Sequence, residues 1–191
     1  MEFSETQKTV LRIAADYASE RGLNELTIGQ LAQATGMSKA GLHGAFGSKT
    51  DLQISTIQFA AEIFTKEVIL PSKDLESGAK RISAFFNAWI SYVDRKVFPG
   101  GCFFARVSME GDSLPEPVNL EIRKRFQSFR NFVSTELGRN SRSRKSDLSA
   151  KELADQLLSL VMGYNWAVHS LKNPEMGKHI RELLNERLKI L

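Results

Sequence analysis

The stretch from Thr27 to Leu52 constrains the fold most, because it has the pattern of two short helices joined by a tight turn. Thr27 and Gln30 have the spacing of a capping box, in which each side chain bonds the backbone N–H of the other residue. Gly36 follows the first helix where the chain has to turn, since glycine adopts a positive φ without a steric penalty. Ser38 is a favourable N-cap for a second helix. The pattern predicts a helix-turn-helix.

Small and apolar residues of the same stretch indicate how the two helices pack. Leu42 and Phe46 are four residues apart and give the second helix a buried side. Ala32 is small where the helices are expected to cross. Ser48 and Asp51 then begin a further helix, with the Asp51 carboxylate near its positive end. This arrangement leaves the other side of the second helix exposed, so that it can enter the major groove of DNA.

Residues 42–52, LHGAFGSKTDL, resemble the recognition helix and the following junction of the TetR family of bacterial one-component repressors. The positions that match the family pattern are Phe46, Ser48, Lys49 and Leu52. Residues 43–45, His-Gly-Ala, stand where the family often has Tyr-Tyr-His. The departure concerns the usual aromatic contacts with the DNA backbone, not the fold. The resemblance implies three N-terminal helices for DNA binding, followed by six helices for ligand binding and dimerisation.

The composition is that of an ordinary globular protein. Hydrophobic residues make up 42% of the 191 residues and charged residues 25%, which provides for a substantial core and excludes a disordered chain. No apolar run approaches the ~20 residues of a membrane span, and the N-terminus lacks a signal-peptide pattern. We therefore expect a cytoplasmic protein without a membrane partner. The single cysteine, Cys102, excludes an internal disulfide and a cysteine zinc site.

The remaining chain has the pattern of helices interrupted by glycine and proline. Apolar residues recur at helical spacing in the segments 4–21, 48–68, 76–96, 102–111, 115–137, 149–171 and 174–189. Pro71 is expected to end one helix and Gly138 another. With the helix-turn-helix, these segments predict an all-α fold of about nine helices.

We expect two functional domains. Residues 1–47 are predicted to form the helix-turn-helix DNA-binding domain, and residues 48–191 the ligand-binding and dimerisation domain. Residues 138–147 carry four positive charges and no apolar residue, which predicts a solvated loop. A role of this loop in nucleic-acid binding is the alternative.

The candidate DNA-binding residues lie on the predicted recognition helix and at the starts of the neighbouring helices. They are Thr27, Ser38, Lys39, Ala40, Gly41, His43 and Lys49. Lys39 and His43 can donate hydrogen bonds to base edges or phosphates, and helix N-termini favour a phosphate. The alternatives are simple capping for Thr27, a solvated side chain for Lys49 and a surface role for His43.

The candidate ligand-binding residues belong to an aromatic-rich part of the chain. They are Phe64, Phe86, Trp89, Cys102, Phe103, Arg106, Phe129, Asn165, Trp166 and His169. Helical bundles bind small molecules in apolar clefts that contain few polar groups, so this set suits a small apolar or aromatic effector. For any single aromatic residue a plain core position is the alternative. Cys102 is a candidate redox or electrophile sensor, although a free cysteine is usually a small buried residue.

A second resemblance to the TetR family lies around Cys102. Residues 100–103, Gly-Gly-Cys-Phe, and Glu110 resemble the region of helix six in many TetR-like proteins, where a Gly-Cys pair precedes a short helix with a glutamate.

The candidate dimer interface lies on the last two predicted helices. Its residues are Leu157, Leu160, Tyr164, Ile180 and Leu184. Two antiparallel copies of the helix pair would form a four-helix bundle with an isologous interface. Burial of these side chains within one subunit is the competing interpretation.

Together these features predict a ligand-responsive repressor that binds a palindromic operator as a homodimer. An enzyme is disfavoured, because the sequence has no nucleophile motif, phosphate loop or HExxH pattern and its three histidines are far apart. No cofactor or metal is expected. The alternative function is an effector-independent DNA-binding protein with an architectural or partner-dependent role.

Overall fold

A computed structural model describes residues 3–139 and 147–191 of the chain. The helices are α1 (Glu5–Arg21), α2 (Ile28–Thr35), α3 (Lys39–Phe46), α4 (Lys49–Phe64), α5 (Leu70–Lys73), α6 (Ala79–Asp94), α7 (Phe103–Val107), α8 (Glu116–Arg139), α9 (Ala150–Asn165) and α10 (Pro174–Lys189). The described residues contain no β-strand, so the predicted all-α class is confirmed. Residues 140–146, which make up most of the predicted basic loop, lie outside the described residues.

Two compact units make up the chain. The first comprises Met1–Ile63 and Lys96–Lys124, and the second comprises Phe64–Arg95 and Arg125–Leu191. The predicted division between residues 47 and 48 concerns function rather than compactness, and it stays a prediction.

Local sequence signals set the helix boundaries in the first unit. The Thr27 hydroxyl accepts from the backbone N–H of Gln30, and the Gln30 side chain bonds the Thr27 backbone N–H in return, as predicted. Gly36 has φ +70°, which confirms the left-handed turn between α2 and α3. The Ser38 hydroxyl caps α3 by accepting from the backbone N–H of Gly41 at 3.0 Å.

Residues 97–110 pack along α1 within the first unit. Arg12 donates to the backbone carbonyl of Val97 at 2.6 Å, and its guanidinium lies over the Phe98 ring. The backbone N–H of Gly100 donates to the Ser19 hydroxyl at 3.0 Å. A Cβ atom at position 100 would lie 2.0 Å from the Ser19 carbonyl oxygen, so this close approach requires glycine.

Helices α6, α9 and α10 and the C-terminal part of α8 build the second unit around an aromatic core. Helix α6 begins at Gly78 without a side-chain cap of its own. Instead, the buried Glu136 carboxylate accepts from the Gly78 N–H at 2.9 Å and pairs with Arg81 and Arg139. A residue 58 positions away thus satisfies the free N–H at the start of α6.

The structure differs from the predicted helix ends at two positions. Pro71 does not end its helix, because a π-helical turn over Thr65–Ile69 leads into α5, and Pro71 lies in the first turn of α5, where its missing N–H is tolerated. Gly138 does not end α8, which continues to Arg139. A second π-helical turn, Trp166–Ser170, extends α9. In the described part of the chain, no helix combines the length and apolar character needed to cross a lipid bilayer.

Candidate functional site

The helix-turn-helix presents one side of α3 to solvent and buries the other. Leu42 and Phe46 are buried, as is Leu31 on α2, which confirms the predicted packing stripe. The Gln7 side chain fixes the end of α3 to α1 by donating to the Ala45 carbonyl at 3.0 Å. This role of Gln7 is not predictable from the sequence, because nothing in its local pattern points to a residue 38 positions away.

All seven predicted DNA-binding residues are exposed, and five of them lie together from the N-cap of α3 to its middle. Those five are Ser38, Lys39, Ala40, Gly41 and His43, while Thr27 caps α2 and Lys49 begins α4. The exposed side of α3 therefore consists mainly of small residues with one lysine and one histidine. Such a surface permits close approach to a groove.

The His43 ring is oriented by a contact within the same region. Its Nδ1 lies 3.0 Å from the Gly47 carbonyl oxygen. Because a carbonyl only accepts, Nδ1 must carry the proton, and the neutral ring then has an unprotonated Nε2. Neutral His43 thus offers an acceptor outward, and only its charged form offers a donor there.

Lys49 is bound within the chain, rather than freely solvated. Its Nζ donates to the Asn24 carbonyl at 2.7 Å, which ties α4 to the turn that precedes α2. Asp51 on the same turn of α4 accepts from the backbone N–H and the hydroxyl of Ser48. These bonds lower the pKa of the Asp51 carboxyl.

Four of the predicted ligand-binding residues meet in the core of the second unit. The ring centroids of Phe64 and Trp89 are 4.7 Å apart, those of Phe64 and Phe129 are 4.8 Å apart, and Phe86 stacks on Trp89 at 6.3 Å. We call these four residues the aromatic cluster. Its polar group is the Trp89 indole N–H, which is fully buried and has no hydrogen-bond partner among the described residues.

The other predicted ligand residues of the second unit lie near the end of α9. Asn165 is buried, His169 is half-buried with Nε2 3.4 Å from the Val93 carbonyl oxygen, and Trp166 is 39% exposed. Trp166 therefore has a surface position rather than a core position.

Cys102, Phe103 and Arg106 belong to the first unit. Cys102 is fully buried, which agrees with the small-residue interpretation of a free cysteine. Phe103 packs against Phe98 and Phe104. Arg106 donates to the Arg21 carbonyl at 3.1 Å, at the end of α1, so this guanidinium binds backbone.

The predicted dimer residues divide between the inside and the surface of the second unit. Leu157, Tyr164 and Leu184 are buried within one subunit, as the competing interpretation expects, and their place in a dimer interface stays a prediction. Leu160 and Ile180 are half-exposed. A surface hollow of about 430 Å³ beside Leu160 is also lined by Asp155, Gln156, Ser159, Leu183 and Arg187 of α9 and α10.

The buried Tyr164 side chain also makes polar contacts through its hydroxyl group. Its hydroxyl donates to the Asp94 carboxylate at 2.5 Å, and Arg181 contacts both groups. Burial and the Asp94 carboxylate raise the pKa of the Tyr164 phenol, against the opposing effect of Arg181. This cluster joins α6, α9 and α10.

Two protein-family models match the sequence. The model described as "Bacterial regulatory proteins, tetR family" matches residues 10–55. The model described as "Tetracyclin repressor-like, C-terminal domain" matches residues 78–184, which is more than half of the chain. No curated protein sequence matches significantly.

Known structures share the fold over nearly the whole chain. A TetR transcriptional regulator from Chloroflexus aurantiacus J-10-FL is similar with a TM-score of 0.85 and 22% identity, covering 97% of this chain and 94% of that one. A TetR transcriptional regulator from Legionella pneumophila has a TM-score of 0.80 and 21% identity, covering 97% and 98%. AibR in complex with isovaleryl coenzyme A and operator DNA has a TM-score of 0.76 and 18% identity, covering 95% and 97%.

Proposed function

The chain belongs to the TetR family of bacterial regulatory proteins, and we propose that it is a ligand-responsive repressor. It binds a palindromic operator as a homodimer, in the cytoplasm where the operator lies, and a small apolar or aromatic effector releases it. Members of the family are DNA-binding transcription regulators, not enzymes.

The exposed side of α3 carries this proposal. Leu42 and Phe46 anchor the helix, and its opposite side carries mainly small residues beside Lys39 and His43. We assign Lys39 to guanine acceptors or a phosphate, and Ala40 to a thymine methyl group. Neutral His43 accepts through Nε2, which suits the exocyclic amino group of cytosine or adenine. Lys49 still has two N–H donors for a phosphate beside its bond to Asn24.

Replacing Lys39 by alanine is expected to weaken operator binding by about 1–3 kcal/mol, or roughly five- to 150-fold in Kd. The reason is that the exposed ammonium group supplies a base or phosphate contact. Fluorescence anisotropy with the operator selected by the wild-type protein measures the change. Lys73→Ala removes the same charge from an exposed position of α5 and serves as the matched control. Equal operator affinity of Lys39→Ala and the wild type would remove the role assigned to Lys39.

The aromatic cluster supports an effector of apolar or aromatic character. The cluster combines the aromatic rings of Phe64, Phe86 and Phe129 with the Trp89 N–H, a donor that has no partner among the described residues. AibR, a structural neighbour, binds isovaleryl coenzyme A and operator DNA, so the same fold accommodates both kinds of ligand. A tenfold loss of operator affinity requires about 1.4 kcal/mol of coupling between the two sites.

The close packing of the aromatic cluster also favours a second candidate function. Phe64, Phe86 and Trp89 are fully buried against one another, as in a filled core. This packing suits a DNA-binding protein that needs no effector and acts through chromosome architecture or a protein partner. A screen in which no apolar compound changes operator affinity or melting temperature would favour this alternative.

The outer side of α9 and α10 supports the homodimer. Leu183 is 51% exposed beside the 430 Å³ hollow, and the half-exposed Leu160 lines the same hollow. Polar and charged side chains, including Asp155 and Arg187, surround these leucines. An apolar centre with a polar rim is the usual anatomy of a protein interface. Two copies are also needed to place recognition helices about 34–36 Å apart.

Replacing Leu183 by glutamate is expected to convert the dimer to a monomer, because an isologous interface would then have to desolvate two added carboxylates. Sedimentation velocity at micromolar protein concentration measures the state. Leu120→Glu is the matched control, since Leu120 is 45% exposed and belongs to the first unit. A Leu183→Glu protein that remains dimeric would place the interface elsewhere.

A further inference from the structure

The turn between α1 and α2 is bound by the carboxylate of Glu110. We call residues 21–24 of this turn the α1–α2 corner. Glu110 Oε1 accepts from the Leu23 backbone N–H and Oε2 from the Asn24 backbone N–H, both at 2.7 Å. Gly22 has φ +99°, and a Cβ atom there would lie 2.8 Å from the Glu110 Cδ. The corner is thus shaped to receive this carboxylate.

The carbonyl groups of the α1–α2 corner are bonded as well. Gln53 Nε2 donates to the Leu23 carbonyl at 2.8 Å, and Gln53 is fully buried. Lys49 Nζ donates to the Asn24 carbonyl at 2.7 Å. Arg106 donates to the Arg21 carbonyl at 3.1 Å. The corner is therefore bound by side chains from two parts of the chain, namely α4 and the segment from α7 to Glu110.

The α1–α2 corner lies just before the helix-turn-helix in the chain, so the bonds that hold the corner also affect the position of the recognition helix α3. The capping residue of α2, Thr27, follows Asn24 after two residues. Helix α2 in turn packs on α3, and Leu31 of α2 and Leu42 of α3 are both buried. A shift of the corner therefore moves the start of the helix-turn-helix. Among the described side chains that bind the corner, Glu110 alone accepts two backbone hydrogen bonds. Its acceptor is a carboxylate, and hydrogen bonds to a charged group are stronger than those between neutral groups.

We propose that Glu110 is a positioning residue for operator binding, which fixes the helix-turn-helix in its DNA-binding arrangement through the Leu23 and Asn24 backbone N–H groups. The inference rests on the proposed function as an operator-binding protein.

Because Glu110 is negatively charged, a positioning role and a purely electrostatic role predict opposite changes in the operator affinity of Glu110→Gln. Removing a negative charge from a DNA-binding protein strengthens its attraction to phosphates, so charge alone predicts tighter binding for Glu110→Gln. The positioning role predicts the opposite. The amide of glutamine retains one acceptor and points a donor at a second N–H, so one of the two bonds is lost. We expect Kd for the operator to rise at least about tenfold.

Operator affinity of Glu110→Gln is measured at a temperature well below its melting temperature, where the variant is folded. Asp112→Asn is the matched control, because it removes the same charge from an exposed neighbour in sequence. We expect this control to bind as well as the wild type or more tightly. A role in stability alone would lower the melting temperature of Glu110→Gln and leave its operator affinity unchanged, and that result overturns the proposal.

Amide hydrogen exchange of the wild-type protein tests the same contact, even if Glu110→Gln fails to fold. The Leu23 and Asn24 amides are expected to exchange as slowly as interior helix amides in the absence of DNA, and to exchange at least about tenfold faster in Glu110→Gln. Fast exchange of both amides in the wild type overturns the proposal. A wild-type protein that binds no palindromic site contradicts the proposed function instead, and slow exchange of the two amides would then show that the contact itself exists.

Discussion

Replacing Gly100 by alanine is expected to lower the free energy of unfolding by about 3 kcal/mol or more, since overpacking a tight contact costs that much when neither side can yield. The new Cβ atom would lie 2.0 Å from the carbonyl oxygen of Ser19, 2.3 Å from its carbonyl carbon and 2.8 Å from the Glu20 nitrogen. All three are backbone atoms of α1. The clash can therefore be relieved only by separating the segment around Gly100 from the helix.

Urea unfolding followed by circular dichroism measures this change. Gly44→Ala is the control in the same unit, because nothing lies within 4 Å of a Cβ atom at Gly44. Alanine is the better helix former there, and stability should rise by about 1 kcal/mol. A Gly100→Ala variant as stable as the wild type would mean that residues 97–110 do not pack on α1 as described.

Replacing Phe64 by alanine is expected to lower the free energy of unfolding by about 3–5 kcal/mol, the range for truncating a buried phenylalanine. Phe64 is fully buried, and its ring lies 4.7 Å from Trp89, 4.8 Å from Phe129 and 5.6 Å from Tyr92, between centroids. The loss combines apolar burial with edge contacts to several rings.

Thermal and urea unfolding again give the measurement for Phe64→Ala. Leu70→Ala provides the comparison, because Leu70 is 47% exposed and its truncation should change stability by no more than about 0.5 kcal/mol. Similar small losses for both variants would show that the aromatic cluster is loosely packed. In that case it would have to be regarded as an open cleft rather than a core.

The helix-turn-helix was predictable because its signals are local. The capping box of Thr27 and Gln30, the turn at Gly36 and the cap at Ser38 each depend on residues within four positions of one another. Steric and hydrogen-bonding rules at that range hold largely independently of the rest of the fold. The capping box at the start of α9, between Ser149 and Glu152, is equally local.

The contacts of Glu110 and Arg106 were not predictable, because they join residues 85 or more positions apart. From the sequence, Arg106 is a candidate ligand-binding residue, and Glu110 is part of a resemblance to the TetR family. The resemblance around Cys102 and Glu110 indicates that this segment matters, but it does not indicate that the segment binds the turn between α1 and α2. Partners at that distance depend on how α1 and α7 pack, and a side-chain pattern does not specify this.

The direction of the α9 side chains was only partly predictable. Apolar residues lie on more than one side of this helix, so spacing alone could not separate Leu157 and Tyr164, which are buried, from Leu160, which is half-exposed. The effect of Pro71 was not predictable either, because proline usually ends a helix and here it does not. Pro71 is tolerated because a π-helical turn precedes α5, and the spacing of apolar residues does not predict such a turn.

We infer that this chain is a sequence-specific operator-binding regulator, a claim that can be tested by selecting fragmented genomic DNA with the purified protein. The recovered sites are titrated at two salt concentrations, and the number of bound protomers is determined. We expect a shared short palindrome, bound at nanomolar Kd by an even number of protomers. Weak binding without a shared sequence, lost as salt is raised, would reflect only attraction to the DNA backbone and would contradict the claim.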